Sequence, residues 1–211
     1  MLHFVTAGNI GWCSNEMEQA YKLRRRVFVE GKGWDDLMRG DGREIDQFDD
    51  EHAVHMLYIE GNTVTGYQRM LPTTRPHLLS EGMPELCETE RPVGHHVWEW
   101  TRYCVAPEQR ERGRSLSPIA NALLSGIVEW GLAGNVTSIV VQMNPLWLLR
   151  LVQLYFDARP LGLPHRIGNE DVVAVSAAFD WRTLAKLQQM RGDARLMFPD
   201  LGRFQLCNGI A

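Results

Sequence analysis

The sequence predicts a single α/β domain built on one mixed sheet. Segments with strand-like alternation come before, between and after segments whose apolar residues follow helical spacing, which is typical of a sheet flanked by helices. The chain has 211 residues, of which 45% are hydrophobic, and it shows no repeat, low-complexity tract or linker. We therefore expect residues 1–211 to form one domain with a full-sized core.

The first half of the chain predicts three strands and one long helix. Ser14 or Asn15 can cap that helix, whose apolar residues recur at helical spacing. Gly61-Asn62 between two apolar segments is typical of a hairpin turn. The expected elements are a strand at Leu2–Thr6, a helix to about Val29, a polar stretch at Glu30–Glu51, and strands at Ala53–Glu60 and Thr63–Leu71.

The second half predicts alternating strands and helices after a mostly irregular stretch, Pro72–His96, with one short helix. Asn144-Pro145 combines a capping residue with a first-turn proline, so a helix is expected to begin there. The expected elements are a strand at Val97–Val105, a helix from about Pro118 to Leu132, a strand at Ser138–Met143, a helix from Pro145 to about Phe156, a strand at Asp171–Phe179 and a helix at Thr183–Met190.

Composition excludes several classes of protein. A net charge of −4 gives no basic field for nucleic acid, so no nucleic-acid partner is expected. The four scattered cysteines favour reduced thiols in the cytoplasm over disulfides or a zinc site. The N-terminus does not resemble a signal peptide, and polar residues interrupt the most apolar stretch, Ile139–Phe156, so no membrane span is expected. His95 and His96 have no spaced third ligand, so no metal is expected.

Two charged residues lie inside a strand that should be buried. The segment VWEWTRYCV, Val97–Val105, contains Glu99 and Arg102 among bulky residues. Burying charge is costly without a partner, so both are candidate functional residues. In an ideal strand they would point to opposite faces, and a bulge near Trp100 or Thr101 would bring them together.

Other charged residues also fall on apolar faces. Arg24 lies on the apolar face of the first helix, and Arg69 lies on the apolar face of its strand. Arg69 needs an anionic partner, for which Asp46, Asp49 and Glu99 are candidates. Such a cluster is either a structural ion-pair network or a ligand site.

The polar stretch also carries features of a ligand site. Trp34 lies in a glycine-flanked loop, where its ring either covers the core or closes over a flat heterocycle. The nine acidic residues of Glu30–Glu51 form either a solvated loop or a negative rim suited to a cation.

A turn rich in arginine precedes the helix at Pro118. Its residues Arg110, Arg112, Gly113 and Ser115 approximate the R/Q-x-x-G-x-G/A loop with which GNAT acetyltransferases hold the pyrophosphate of coenzyme A, with Ser115 in place of the last glycine or alanine. Free N–H groups at a helix N-terminus favour such an anion.

Together these motifs resemble the acyl-homoserine-lactone synthases, the LuxI-type autoinducer synthases of bacterial quorum sensing. The resemblance covers roughly residues 17–180. The resemblance depends on several motifs that occur in the order and at the spacing typical of the family. In the first half these are L-R-x-x-V-F followed by Trp34, and E-I-D-x-x-D, which contains Asp46 and Asp49. They are followed by the strand arginine Arg69, the segment LPTTRPHLL, and W-E-x-[ST]-R-[FY], which contains Glu99 and Arg102. Met83 and Tyr103 stand where many members have phenylalanine.

The resemblance implies a GNAT-like α-β-α sandwich and two small-molecule substrates without a cofactor. One substrate is S-adenosylmethionine, and the other is an acyl thioester of acyl carrier protein or of coenzyme A. The amine attacks the thioester, the methionine carboxylate closes on its γ-carbon, and methylthioadenosine leaves. The run GDGREIDQFDD with WEWTRY resembles the subgroup that takes branched or aryl acyl groups from coenzyme A.

The resemblance also implies roles for individual residues. Glu99 would assist deprotonation of the amine, with Arg102 beside it, and backbone N–H groups near Met143 would stabilise the oxyanion. The residues implied for S-adenosylmethionine are Arg24, Phe28, Trp34, Asp46, Asp49 and Arg69. Those implied for the acyl donor are Trp100, Arg110, Arg112, Gly113, Ser115, Met143 and Trp147.

Two other functions remain open at this point. An ordinary GNAT N-acyltransferase acting on another amine would share the fold and the arginine-rich turn, but it leaves Arg24, Trp34, Asp46 and Asp49 unexplained. A non-catalytic acyl-CoA sensor would need the turn but not Glu99. Release of methylthioadenosine separates the synthase from both.

Overall fold

The computed structural model describes residues 1–110 and 116–198, and its strands form one mixed sheet, as predicted. The strand order is β1-β2-β3-β4-β5-β8-β6, with β7 also paired to β8. The pair β4–β5 is parallel, and the other pairs are antiparallel. The strands are β1 (Leu2–Val5), β2 (Val54–Glu60), β3 (Thr63–Pro72), β4 (Val97–Val105), β5 (Ser138–Met143), β6 (Asp157–Pro160), β7 (His165–Ile167) and β8 (Glu170–Ala178).

The helices that flank this sheet largely follow the prediction. They are α1 (Ser14–Arg24), α2 (Leu78–Glu81), α3 (Pro118–Ala133), α4 (Leu146–Gln153) and α5 (Trp181–Arg191). The expectation that Ser14 or Asn15 caps α1 is wrong, because Cys13 occupies the N-cap and the Ser14 hydroxyl donates to the Gly11 carbonyl instead. The predicted continuation to about Val29 is present, but as a π-helical segment, Arg25–Glu30.

Alternation along the strands produces a core on each face of the sheet. On one face Met56 and Met70 pack with α3 residues such as Leu123 and Ile127. On the other face Leu57 and Tyr67 pack with residues of α1 and the π-helical segment. Because successive strand residues point to opposite faces, α1 and α3 are held on opposite sides of β2 and β3.

The strands β6 and β7 were not predicted from the sequence, and neither were the short 3-10 helices at Asp35–Leu37, Pro84–Leu86 and Pro107–Gln109. The sequences of the two strands, DARP and HRI, lack the β-branched and aromatic alternation from which strands are recognised. Both pair with β8, so their conformation comes from hydrogen bonding to a strong neighbour. The helix α4 also ends earlier than predicted, at Gln153.

The parallel pair β4–β5 opens towards one end of the sheet. The two strands pair from Val97–Ser138 to Trp100–Val141, and the pairing stops there although β4 continues to Val105. The opening begins just before Met143, near which the resemblance placed the backbone donors for the oxyanion. In the part of the chain that the structure describes, no helix is long and apolar enough to cross a membrane.

Candidate active site

Six charged side chains meet on the face of the sheet that carries α1. Three are arginines and three are carboxylates, so the group is neutral as a whole. We call it the ion cluster, and its members are Arg24, Arg69, Arg102, Glu44, Asp46 and Asp49.

Arg24 and Arg69 occupy the deepest part of the ion cluster, and neither has exposed surface. Arg24 forms two hydrogen bonds with Asp49, of 2.7 and 2.9 Å, and a third of 2.5 Å with Glu44. Arg69 binds both oxygens of Asp46 at 2.7 and 2.9 Å and lies 2.7 Å from Asp49. Paired forks of this kind are the strongest way to satisfy a buried guanidinium.

Arg102 joins the ion cluster because β4 contains a bulge. The register with β3 shifts between Tyr67 and Arg69, and Arg102 has φ of 54°, in the left-handed region. The extra residue turns Arg102 to the same face as Thr101, and its guanidinium contacts Asp46 at 2.8 Å and Glu44 at 3.2 Å. The predicted bulge is therefore present, slightly further along the strand than expected.

Electrostatics favour the ionised forms of two acidic members of the ion cluster, Asp46 and Asp49. Burial alone would raise the pKa of Asp49, but Arg24 and Arg69 outweigh it and hold that pKa below the usual range. Burial opposes ionisation of Asp46 in the same way, and hydrogen bonding and charge from Arg69, with the charge of Arg102, lower its pKa. These two carboxylates thus stay charged at neutral pH.

Two predicted aromatic residues lie beside the ion cluster. The rings of Phe28 and Trp34 stack with centroids 5.2 Å apart and planes 18° apart. The Arg102 guanidinium carbon lies 5.7 Å from the Phe28 ring centre, and the Lys32 amine lies 4.9 Å from the Trp34 ring centre. This arrangement offers an aromatic wall bordered by positive charge.

Glu99 lies on the same face but has partners of its own. Its carboxylate accepts hydrogen bonds from the backbone N–H groups of Leu78 and Leu79, at 2.8 and 2.7 Å, and from the Gln142 amide at 2.7 Å. The suggestion that Glu99 pairs with Arg69 is therefore wrong. Burial raises the pKa of Glu99, while these three donors, and a positive charge on nearby His77 whenever that ring is protonated, favour the ionised form.

A cavity of about 350 Å³ lies near the opening between β4 and β5. Arg110 and Trp147, both predicted for the acyl donor, line it. Trp147 packs edge-on against Tyr103, with ring centres 5.9 Å apart. The other lining residues are Val27, Lys32, Cys104, Val105, Ser117 and Ala120.

Of the remaining residues predicted for the acyl donor, Trp100 and Met143 do not line this cavity. Trp100 is in the hydrophobic core rather than in the cavity wall, because its indole N–H donates to Gln68 and its ring packs on Tyr103. Met143 is partly buried against the same core. Arg112, Gly113 and Ser115 lie outside the described residues.

Sequence reasoning missed Glu44, Gln142 and Lys32. Glu44 is one acid among nine in the polar stretch, and only the fold shows that it is buried between Arg24 and Arg102. Within residues 1–110 and 116–198, no three His, Cys, Asp or Glu side chains are grouped as metal ligands would be.

Comparison with known proteins identifies the family. The autoinducer synthase family model matches residues 12–186. The isovaleryl-homoserine lactone synthase of Bradyrhizobium diazoefficiens is 34% identical over 95% of this chain and 90% of its own. The structure of the CoA-dependent acyl-homoserine lactone synthase BjaI with SAM and isopentyl-CoA matches with a TM-score of 0.86 at 32% identity, over 93% of this chain and 91% of that one.

A second structure is similar over a comparable length. The CoA-dependent acyl-homoserine lactone synthase MesI matches with a TM-score of 0.84 at 28% identity, over 93% of this chain and 98% of that one. These matches span the ion cluster, Glu99 and the cavity. The chain therefore belongs to the autoinducer synthase family, and it is an acyltransferase of the acyl-homoserine-lactone synthase type.

Proposed function

We propose that this protein makes an acyl-homoserine lactone, a quorum-sensing signal, from S-adenosylmethionine and a short, branched or aryl acyl-CoA, and releases methylthioadenosine. The observation that carries the proposal is that two candidate substrate regions adjoin at Lys32. Its amine lies over the Trp34 ring, beside the ion cluster, and its side chain lines the cavity near β4 and β5. A transferase needs two neighbouring substrates, whereas an acyl-CoA sensor needs one.

The ion cluster and the aromatic pair form the proposed S-adenosylmethionine site. Phe28 and Trp34 would hold the adenosine, and the acidic side of the cluster suits the sulfonium. Asp46 and Arg102 retain some exposed surface, so they are placed to contact the substrate, with Arg102 matching the methionine carboxylate. Arg24, Arg69 and Asp49 are fully buried and would act by holding those two side chains in position.

The cavity forms the proposed acyl-donor site. Arg110 lies at its wall and directly precedes, in the sequence, the residues that resemble a phosphate-binding loop. This end is therefore the proposed site for the phosphates of coenzyme A, with Arg112, Gly113 and Ser115 proposed as further ligands. Trp147 would limit the length of the acyl group, with Trp100 and Met143 behind it. Similarity to the isovaleryl-homoserine lactone synthase and to a structure containing isopentyl-CoA favours a branched acyl group.

Glu99 is the proposed base for the amine. Its Oε1 accepts two hydrogen bonds and its Oε2 accepts one, so Oε2 retains a lone pair for the substrate ammonium or for a water between them. A raised pKa makes the carboxylate a stronger base, and its hydrogen-bond donors favour the ionised form that accepts a proton. Backbone N–H groups near Met143 would stabilise the tetrahedral oxyanion.

Product analysis tests the function directly. Incubation with S-adenosylmethionine and isovaleryl-CoA should yield isovaleryl-homoserine lactone and methylthioadenosine in equal amounts, as measured by mass spectrometry. Acylation of another amine without methylthioadenosine would instead identify an ordinary N-acyltransferase. Binding of acyl-CoA without turnover would identify a sensor.

Replacement of Glu99 tests the base. We expect Glu99→Gln to lower kcat on the order of 10²-fold or more, because the amide cannot accept the proton. Calorimetric affinity for S-adenosylmethionine should stay near that of the unmodified protein. The exposed Glu90→Gln variant is the matched control. Turnover of Glu99→Gln at the unmodified rate would remove Glu99 from this role.

Replacement of Trp34 tests the adenosine wall. Stacking of a base on an aromatic ring contributes about 1–3 kcal/mol, so Trp34→Ala should weaken S-adenosylmethionine binding roughly five- to a hundredfold. Affinity for acyl-CoA should change less. Trp12→Ala, at a tryptophan that is 90% exposed, should leave both affinities unchanged. If calorimetry gave the same affinity for S-adenosylmethionine in Trp34→Ala and Trp12→Ala, the assignment of Trp34 to the adenosine wall would be contradicted.

Replacement of Trp147 tests the acyl selection. A long acyl chain would have to displace packed rings at a cost of about 1–3 kcal/mol, which lowers kcat/KM roughly five- to a hundredfold relative to isovaleryl-CoA. We expect Trp147→Ala to reduce this handicap, while the exposed Trp181→Ala variant preserves it. Strong preference of the unmodified protein for a long-chain acyl carrier protein would refute the proposed donor but not the synthase.

A further inference from the structure

His77 is a buried histidine near Glu99 that the steps above do not use. It directly precedes α2, whose first backbone N–H groups, those of Leu78 and Leu79, donate to the Glu99 carboxylate. Only 1% of the surface of His77 is exposed. The segment that holds Glu99 in place therefore also holds this imidazole in the interior.

Hydrogen bonding fixes which nitrogen of His77 is free to act as a base. Nδ1 lies 2.7 Å from the carbonyl oxygen of Arg75, which can only accept, so Nδ1 carries the hydrogen. Nε2 of the neutral ring is then an acceptor. It is buried, and it has no hydrogen-bond partner among the residues that the structure describes. A buried acceptor without a partner is costly, which points to use in the reaction.

The reaction requires a place for a second proton. The substrate ammonium has three N–H bonds and the amide product has one, so the nitrogen loses two protons in each turnover. One ends on the departing thiolate of coenzyme A, and the other must reach solvent. Glu99 is fully buried and can hold only one proton at a time.

We propose that His77 is a positioning residue that acts through Glu99 by receiving at Nε2, across a bridging water, the first proton that Glu99 removes from the amine. This step rests on the proposed role of Glu99. The carboxylate is then free to take the second proton from nitrogen as the tetrahedral intermediate forms, and it passes that proton to the thiolate when the C–S bond breaks. His77 returns its proton to solvent after the products leave.

The charges of the two groups agree with this sequence of steps. A positive charge on His77 lowers the pKa of Glu99, so protonation of the imidazole favours the ionised carboxylate that the second transfer needs. The same positive charge strengthens the hydrogen bond that Nδ1 of His77 donates to the carbonyl oxygen of Arg75, an exposed residue. The residues that directly precede His77, 74–76, are exposed, so the buried imidazole is adjacent in the chain to solvent-exposed residues.

The variant His77→Asn separates this role from a structural one. Its amide keeps a donor for the Arg75 carbonyl but has no nitrogen at the position of Nε2. With isovaleryl-CoA and S-adenosylmethionine we expect kcat to fall at least about tenfold, while KM for S-adenosylmethionine and the melting temperature remain unchanged. The exposed His95→Asn variant should match the unmodified protein throughout.

Chemical rescue provides a second measurement should His77→Asn fail to fold. Added imidazole should restore turnover to His77→Ala, whereas pyrazole, which has the same size but is a much weaker base, should not. Absence of rescue, or equal rescue by both rings, would overturn the proposal.

A combined variant distinguishes failure of this inference from failure of the proposed base. The combined variant carries both His77→Asn and Glu99→Gln. If the imidazole and the carboxylate act on the same protons, its kcat should be no lower than that of Glu99→Gln alone. Normal turnover of Glu99→Gln would overturn both assignments. Slow Glu99→Gln together with normal His77→Asn would overturn the His77 inference alone.

Discussion

Mutual neutralisation of buried charge is the constraint on which this site depends. Arg24 and Arg69 have no contact with water, so each must be satisfied by carboxylates that are fixed in place. Those carboxylates come from the polar stretch after the first helix, which has few apolar residues to hold it on the sheet. Removing one partner would leave an uncompensated charge, at a cost of about 3–5 kcal/mol. Charge pairing therefore positions the loop and, with it, the aromatic wall.

A single strand, β4, connects the parts of the site. Its first half pairs with β5 and places Glu99 against Gln142, and its bulge brings Arg102 into the ion cluster. Its second half leaves β5 and forms one side of the cavity, where Tyr103 packs on Trp147. Because one backbone carries all three features, the distances between base, cluster and cavity are set by strand geometry rather than by loops.

Sequence reasoning predicted the parts of the molecule in which local pattern and tertiary environment agree. The hairpin at Gly61-Asn62 and the buried strand around Glu99 followed from alternation and turn chemistry. The strands β6 and β7 could not be predicted, since their conformation comes from hydrogen bonds to β8. Arg69 was expected to need an acid, and Asp46 and Asp49 fulfil that need. Glu44 had no distinguishing local signal, because its burial is decided by residues far along the chain.

The π-helical segment Arg25–Glu30 has a consequence for how this site tolerates change. A π turn accommodates one residue more than an α turn, and each residue of an α-helix turns the chain by about 100°. The Phe28 ring centre lies 5.7 Å from the Arg102 guanidinium carbon, and removal of one residue before Phe28 would turn its ring about the helix axis by about 100°. The number of residues in the segment thus constrains the site as firmly as their identity. A deletion that restored regular α-helical hydrogen bonding would therefore rotate the aromatic wall away from the ion cluster, so the site requires the irregular helix.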